Sequence, residues 1–164
     1  MEPVLIDSEW LAATLPDGFE QIPHDELEAI MSMRYDLMWG VHDKERHMLM
    51  CVTWKDSNKF LTKLVREKSF AKRIHERNSL VCMKRSDTSN YRRNGLTERT
   101  VSGASALAHG FRFSYTLKGV DQEGEVLVFK RDIRCYTLLY YTRSEYAEQN
   151  RPVFEDILAS LEVR

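Results

Sequence analysis

The sequence predicts an α+β fold: a mainly antiparallel sheet with helices against both faces, a three-layer α/β/α sandwich. Three observations carry that prediction. First, "HGFRFSYTLKG" (109–119) alternates cleanly, and short turn-like breaks join most strand-like segments as hairpins. Second, a long amphipathic segment lies mid-chain and another at the C-terminus, and each needs a sheet face to cover. Third, "IRCYTLLYYTRS" (133–144) is apolar or aromatic on both alternating sets of positions. Ile133, Cys135, Thr137, Leu139 and Tyr141 fall on one face, and Tyr136, Leu138 and Tyr140 on the other. A strand covered on both sides is what a sandwich demands of its central strand, with Arg134 and Arg143 where it meets water.

In chain order, "IDSEWLAATL" (6–15) reads as a short helix with Asp7 or Ser8 as N-cap. "LPDGFEQI" (15–22) is a turn and an extended piece, and "PHDELEAIMS" (23–32) a second short helix with acids in its first turn. "RYDLMWGV" and "RHMLMCVTW" flank "HDKE" as a hairpin. In its second strand Met48, Met50 and Val52 face one side, and Leu49, Cys51 and Thr53 the other. Residues 56–78 give the strongest helix, with Phe60, Leu61, Leu64, Ala71 and Ile74 in one apolar stripe. "LVCMKR" (80–85) reads as a short strand, and 86–104 as a turn-rich connection with one strand around Leu96–Val101.

In the alternating segment Phe111, Phe113, Tyr115 and Leu117 point inward. "VDQEG" (120–124) reads as a hairpin turn and 125–143 as a long strand or two. "NRPVFEDILASLEV" (150–163) closes the chain as a helix, Pro152 in its first turn and Phe154, Ile157, Leu158 and Leu161 on one face. The order is helix, strands, long helix, strands, helix, without βαβ winding.

A chain of 164 residues, 43% hydrophobic and 30% charged, fits one soluble domain (1–164). Its apolar runs fall short of the ~20 residues of a membrane helix. The opening "MEPVLIDSEW" is acidic where a secretory signal is basic, so a cytoplasmic location is expected. Cys51, Cys82 and Cys135 are far apart and odd in number, which argues against a disulfide framework.

Chemical candidates are few. All three cysteines lie in predicted strands among apolar neighbours, where a thiol is a core residue and not a nucleophile. His24, His42, His47, His75 and His109 form no HxH, HExxH or Cys/His pair at zinc spacing. There is no GxGxxG, P-loop or GxSxG, and "SGAS" (102–105) is too short to cradle phosphate. We therefore expect neither enzyme activity nor a metal or cofactor.

Charge is the strongest functional signal. The net charge of −1 hides nine acids against the single base Arg34 in residues 1–36, and ten Lys or Arg against three acids in 55–85. Lys59, Lys63, Arg66, Phe70, Arg73 and Arg77 follow 4-3-4-3-4 spacing, a basic helix face with an aromatic at its middle. Such a face suits an anionic partner surface; alternatively it is a solvated face over which the acidic N-terminal segment folds. The balance of −1 and the lack of a recognised motif argue against nucleic acid as the main ligand.

"TRSEYAEQNRPVFEDILASLEV" (142–163), following an aromatic-rich strand, resembles the C-terminal signature of the PsbP-like family, through Phe154, Ile157, Leu158, Ser160 and Leu161. "LPDGFEQIPHDELEAI" (15–30) is similar to the opening of small bacterial relatives of unknown function. The resemblance implies an α–β(3)–α–β(3)–α order in three layers and binding to another protein without catalysis; it assigns no site residue. The reading is a non-enzymatic protein-binding, adaptor or chaperone-like domain with no membrane insertion, for which exposed edge strands would allow a homodimer. A second reading is a small-molecule or lipid-binding domain with a pocket between sheet and helix, near Tyr136, Tyr140 and Tyr141.

Overall fold

A computed structural model describes residues 2–31, 37–57 and 67–164, apart from the side chains of Phe70 and Cys82. The elements are β1 (Val4–Asp7), β2 (Leu11–Ala13), β3 (Glu20–Gln21), α1 (His24–Met31), β4 (Met38–Asp43), β5 (Met48–Asp56), α2 (Glu67–Lys84), β6 (Thr88–Arg99), β7 (Ala108–Leu117), β8 (Val120–Arg131), β9 (Arg134–Arg143), a 3-10 turn (Ser144–Tyr146), α3 (Ala147–Ala159) and β10 (Glu162–Val163). Seven strands form an antiparallel sheet in the order β3-β4-β5-β9-β8-β7-β6, and β1-β2-β10 form a small second sheet.

The fold is α+β with mainly antiparallel strands, as expected, and helices cover both faces of the large sheet. β9 pairs with β5 on one side and β8 on the other, which makes it central. Its alternation sorts the core. Tyr136, Leu138 and Tyr140 join Met48, Met50, Val52 and the α3 residues Phe154, Ile157 and Leu158 on one face. Cys135, Leu139 and Tyr141 turn to the other, with Phe111 and Phe113 of β7 and Ala71 and Ile74 of α2. Leu49 and Cys51 lie on that second face with Leu27 of α1. Both facing assignments read from the β5 and β9 sequences therefore hold.

Several local expectations do not. The chain opens with strands, so the α–β(3)–α–β(3)–α order is not the observed one. Residues 6–15 form most of a β1–β2 hairpin and not a helix. Ser8 takes a left-handed φ of 46°, and the Asp7 carboxylate is engaged by Arg134 and Tyr136, so it caps nothing locally. Leu11, Ala12 and Ala13 are all buried, and such a short continuous apolar run has no period to declare itself. Residues 80–84 belong to α2 and not to a strand, because Ala71, Ile74, Asn78 and Val81 carry one face onward at helical spacing. The helix expected from residue 56 does not begin there, since Asp56 ends β5 and pairs with Arg134 of β9; Phe60, Leu61 and Leu64 of its apolar stripe lie outside the described residues.

The segment 86–104 contains a twelve-residue edge strand, β6. Register breaks between Ser89 and Arg92 and between Arg93 and Gly95 destroy its alternation, so it reads as turns. Residues 120–124 belong to β8, and the hairpin turn is Lys118–Gly119, with φ of 49° and 78°. That two-residue turn needs left-handed backbone at both positions, which explains the glycine. Pro152 lies inside α3 and not in its first turn, since the helix starts at Ala147. The lost backbone donor is offset by burial of Phe154, Ile157 and Leu158 on the same helix. Residues 162–163 leave the helix to pair with β2 as β10.

Candidate functional site

On the α1/α2 face the helices leave a groove floored by the sheet. Two hollows, of about 20 and about 90 Å³, share Met31, Asn78 and Leu139 and so run into one another. Ile30 and Met31 at the end of α1 form one wall; Ile74, Asn78, Val81 and the adjoining Arg85 form the other. Tyr91, Phe113, Tyr115 and Tyr141 line the larger hollow. These rings belong to a ladder. Tyr141 meets Tyr115 edge-on, Tyr115 meets Phe113, Phe113 meets Tyr91 and Phe111, and His75 meets both Tyr91 and Phe111.

Polar groups fix the ends of the groove. Arg85 grips Asp87 with two hydrogen bonds of 2.8 Å and donates a third, of 3.4 Å, to the Ile30 carbonyl of α1. At the other side the His75 Nδ1 shares a 3.1 Å hydrogen bond with the Tyr91 hydroxyl. Burial, then the Arg93 charge, hold the His75 imidazole below its ordinary pKa and so neutral. Burial raises the Tyr141 hydroxyl, which stays protonated at the groove floor.

Ile30, 36% exposed, stands at the edge of the groove. Leu80 and Met83 of α2, 55% and 79% exposed, line neither hollow. Arg73, Arg77 and Lys84 are exposed on the same helix. Of the predicted basic face, Arg73 and Arg77 lie on α2, with Arg77 reaching the smaller hollow. Phe70 lies on α2 too, while Lys59, Lys63 and Arg66 fall outside the described residues. Within the acidic segment, Asp7 pairs with Arg134 at 2.7 Å, and Glu28 with His24 at 3.0 Å.

The opposite face of β9 is closed by two similar nodes. Arg99 of β6 makes paired hydrogen bonds of 2.7–2.8 Å to Glu125 and to Glu155 of α3, and the Tyr140 hydroxyl donates to Glu125 at 2.8 Å. Arg134 bridges Asp7 and Asp56, and the Tyr136 hydroxyl donates to Asp7 at 2.8 Å. Burial first, then the adjacent carboxylates, push both tyrosine hydroxyls well above the usual range. Beside Tyr140 and its stacked partner Phe154 (4.1 Å) lies an open cleft of about 260 Å³ that reaches Arg112 and Arg151. Of the three tyrosines marked by sequence, only Tyr141 reaches the groove. Neither node was visible in the sequence, because Asp7 and Arg134 lie 127 positions apart and Arg99 and Glu155 lie 56 apart.

The thiols offer no nucleophile at the groove. Burial pushes Cys51 up to about 12 and Cys135 to about 11, so both stay protonated at neutral pH. Cys82, expected in a strand, lies in α2. His47 stacks on Tyr146 while His42 lies opposite Leu49 in the ladder. Among the described residues no group of three or more His, Cys, Asp or Glu is placed to hold a metal ion, and no helix is long and apolar enough to cross a membrane.

This architecture has known counterparts. The chain has the PsbP-like fold. A solution structure of cyanobacterial PsbP (CyanoP) from Synechocystis sp. PCC 6803 superposes with a TM-score of 0.73 at 11% identity, over 99% of this chain and 92% of that one. LpqN of Mycobacterium tuberculosis, described as involved in cell envelope biogenesis, matches at 0.55 and 11% identity over 99% and 89%. A Bacteroides thetaiotaomicron protein matches at 0.57 and 7% identity, over 94% of this chain and 45% of that one. No family model and no curated protein sequence matches the chain.

Proposed function

We propose that this chain is a protein-binding domain with no catalytic chemistry of its own, and that the α1/α2 groove is where its partner docks. One observation carries the reading: a shallow aromatic-floored groove lies between α1 and α2, with Ile30 exposed at its edge and Arg77 of α2 reaching its smaller hollow. At about 90 Å³ its larger hollow is well below the ~300–1,000 Å³ of a small-molecule site. It has room for one or two side chains from another protein. Aromatic pockets ringed by polar groups are where interface energy concentrates.

The test is affinity capture with the wild-type chain and with Ile30→Asp at the edge of the groove, both checked for equal melting temperature. Partners held by the wild type and lost by the variant support the reading; an identical set from both removes the groove from consideration.

A second reading, a small-ligand site, is favoured by the Tyr140–Phe154 cleft, whose volume of about 260 Å³ approaches that range. Ligand-induced amide shifts confined to Gly124, Thr142 and Ala147 would support it over the first.

A further inference from the structure

Resting on the small-ligand reading of the Tyr140–Phe154 cleft, and independent of the groove, we infer that this cleft takes a small carboxylic acid bearing a hydroxyl or ammonium group. The carboxylate sits between Arg112 and Arg151, and the hydroxyl or ammonium donates to Glu123.

Strand alternation and helical spacing bring these three side chains together. β7 turns Phe111 and Phe113 toward α2, so Arg112 between them belongs to the α3 side, directly opposite Glu125 of β8. On α3, Ala147, Arg151 and Phe154 succeed one another by four and three residues and so share one side of the helix. Ala147 and Phe154 are buried, while Arg151 stays exposed. Glu123, half-buried, stands opposite Ser114 on one side and Thr142 on the other, on the same face of the sheet as Glu125. Arg112, Glu123 and Arg151 all line the open space of about 260 Å³.

The charges without partners define what fits. Arg99 and Arg134 are each held by two carboxylates. Among the described residues, Arg112 and Arg151 have no ion pair and no hydrogen bond. Their charges do act on Glu155, but less than Arg99, from which both Glu155 oxygens already accept hydrogen bonds. A guanidinium offers a planar fork of donors that matches a carboxylate. Two such groups, brought to one cleft by a strand and a helix, mark the place of an anionic group.

Glu123 narrows the ligand further. Among the described residues its carboxylate has no ion pair or hydrogen bond either, and a bare anion would be repelled by it. The cations Arg99, Arg112 and Arg151 are matched in number by the acids Glu123, Glu125 and Glu155, so the site is neutral as a whole. A neutral site does not suit a polyanion, and a nucleic-acid backbone needs a run of uncompensated cations. Phe154 and Tyr140, only 2% and 8% exposed, leave little ring surface for a purely apolar ligand. What remains is one singly charged acid group for the two arginines and one donor for Glu123.

The experiment is an amide NMR titration of the full chain. D-glycerate and L-serine carry both groups, with a hydroxyl alone as donor in the first and an ammonium added in the second. Acetate carries the anion alone and glycerol the hydroxyls alone. Saturable shifts at Gly124, Thr142 and Ala147 are expected with glycerate, serine or both, acetate binding about tenfold more weakly and glycerol not at all. Arg112→Gln/Arg151→Gln should raise the Kd about tenfold or more. Glu123→Ala should act in opposite directions, weakening the bifunctional acid and tightening acetate, a pattern that a folding defect would not produce. Equal melting temperatures check the fold of both variants. No saturable shift with either bifunctional acid up to about 20 mM, where a millimolar site is filled, overturns the inference. So does an equal response to glycerol, indifference to the arginine pair, or stronger binding of glycerol 3-phosphate than of glycerate. If benzyl alcohol shifts the same amides saturably while the acids do not, the cleft stands as a ligand site and only the acid falls.

Discussion

The two faces of β9 are built from the same alternating residues and end in opposite states. On the α3 face, Tyr136 and Tyr140 are buried, and each hydroxyl donates to a carboxylate that an arginine already holds. On the α1/α2 face, Leu139 and Tyr141 line an open groove with Ile30 exposed at its edge. A buried polar group fully matched by partners locks a structure, whereas apolar surface left at a rim is available to a partner. The difference makes one face a locked core and leaves the other as the place for the binding proposed above.

Arg99→Ala should break the comparison most sharply. Glu125 is 0% exposed, and without Arg99 it is a buried charge lacking its main partner. The expected loss is about 3–5 kcal/mol in urea unfolding at neutral pH. Arg134→Ala should cost less, about 1–3 kcal/mol, because Asp56 is substantially exposed and only Asp7 is left buried with an unmet oxygen. Equal losses would show that the two nodes are equivalent, against the burial difference.

The same nodes should make stability depend on pH at both extremes. The Arg99 guanidinium holds the Glu155 carboxyl below its ordinary value, and Arg134 does the same for Asp56. A depressed folded pKa stabilises above the unfolded value of about 4 and loses that contribution as pH falls through the folded value. Tyr136 and Tyr140 are raised instead, so their contribution is full below about pH 10 and is lost as pH climbs toward the folded values. Urea midpoints measured from pH 3 to 11 should fall at both ends. In Arg99→Met the acid-side decline should be shallower, and an unchanged slope would count against the Glu155 pairing.

Smaller effects belong to the open face. Leu80→Asp/Met83→Asp should shift stability by no more than about 0.5 kcal/mol, since both side chains already face solvent. A large shift would mean that these two side chains are structural. Smallest of all, Cys51 and Cys135 should resist thiol reagents at neutral pH until the chain is unfolded, as mass spectrometry of alkylated peptides would show. Their burial and raised pKa values both predict it.

The fold was largely legible where alternation ran unbroken, and the site only in part. β5, β7 and β9 could be read with their facing because each keeps period 2 over nine or ten residues. β6 could not, since its bulges scramble the period, and with it Tyr91 went unnoticed as a wall of the groove. The β1–β2 hairpin was missed for a related reason: three consecutive buried residues carry no period at all. Arg73 and Arg77 of the expected basic face lie exposed on α2, and residues 80–84, which read as a strand, continue that helix.

By itself the sequence determined the class of fold, the centrality of β9 and the burial of its cysteine. These are properties of local period and composition, which every residue reports about itself. Only the tertiary structure decided that Asp7 meets Arg134, that Arg99 gathers Glu125 and Glu155, and that α1 and α2 stand apart far enough to leave a groove. Those are distances between residues remote in the chain, fixed by how strands pair and helices pack, and no local pattern encodes them.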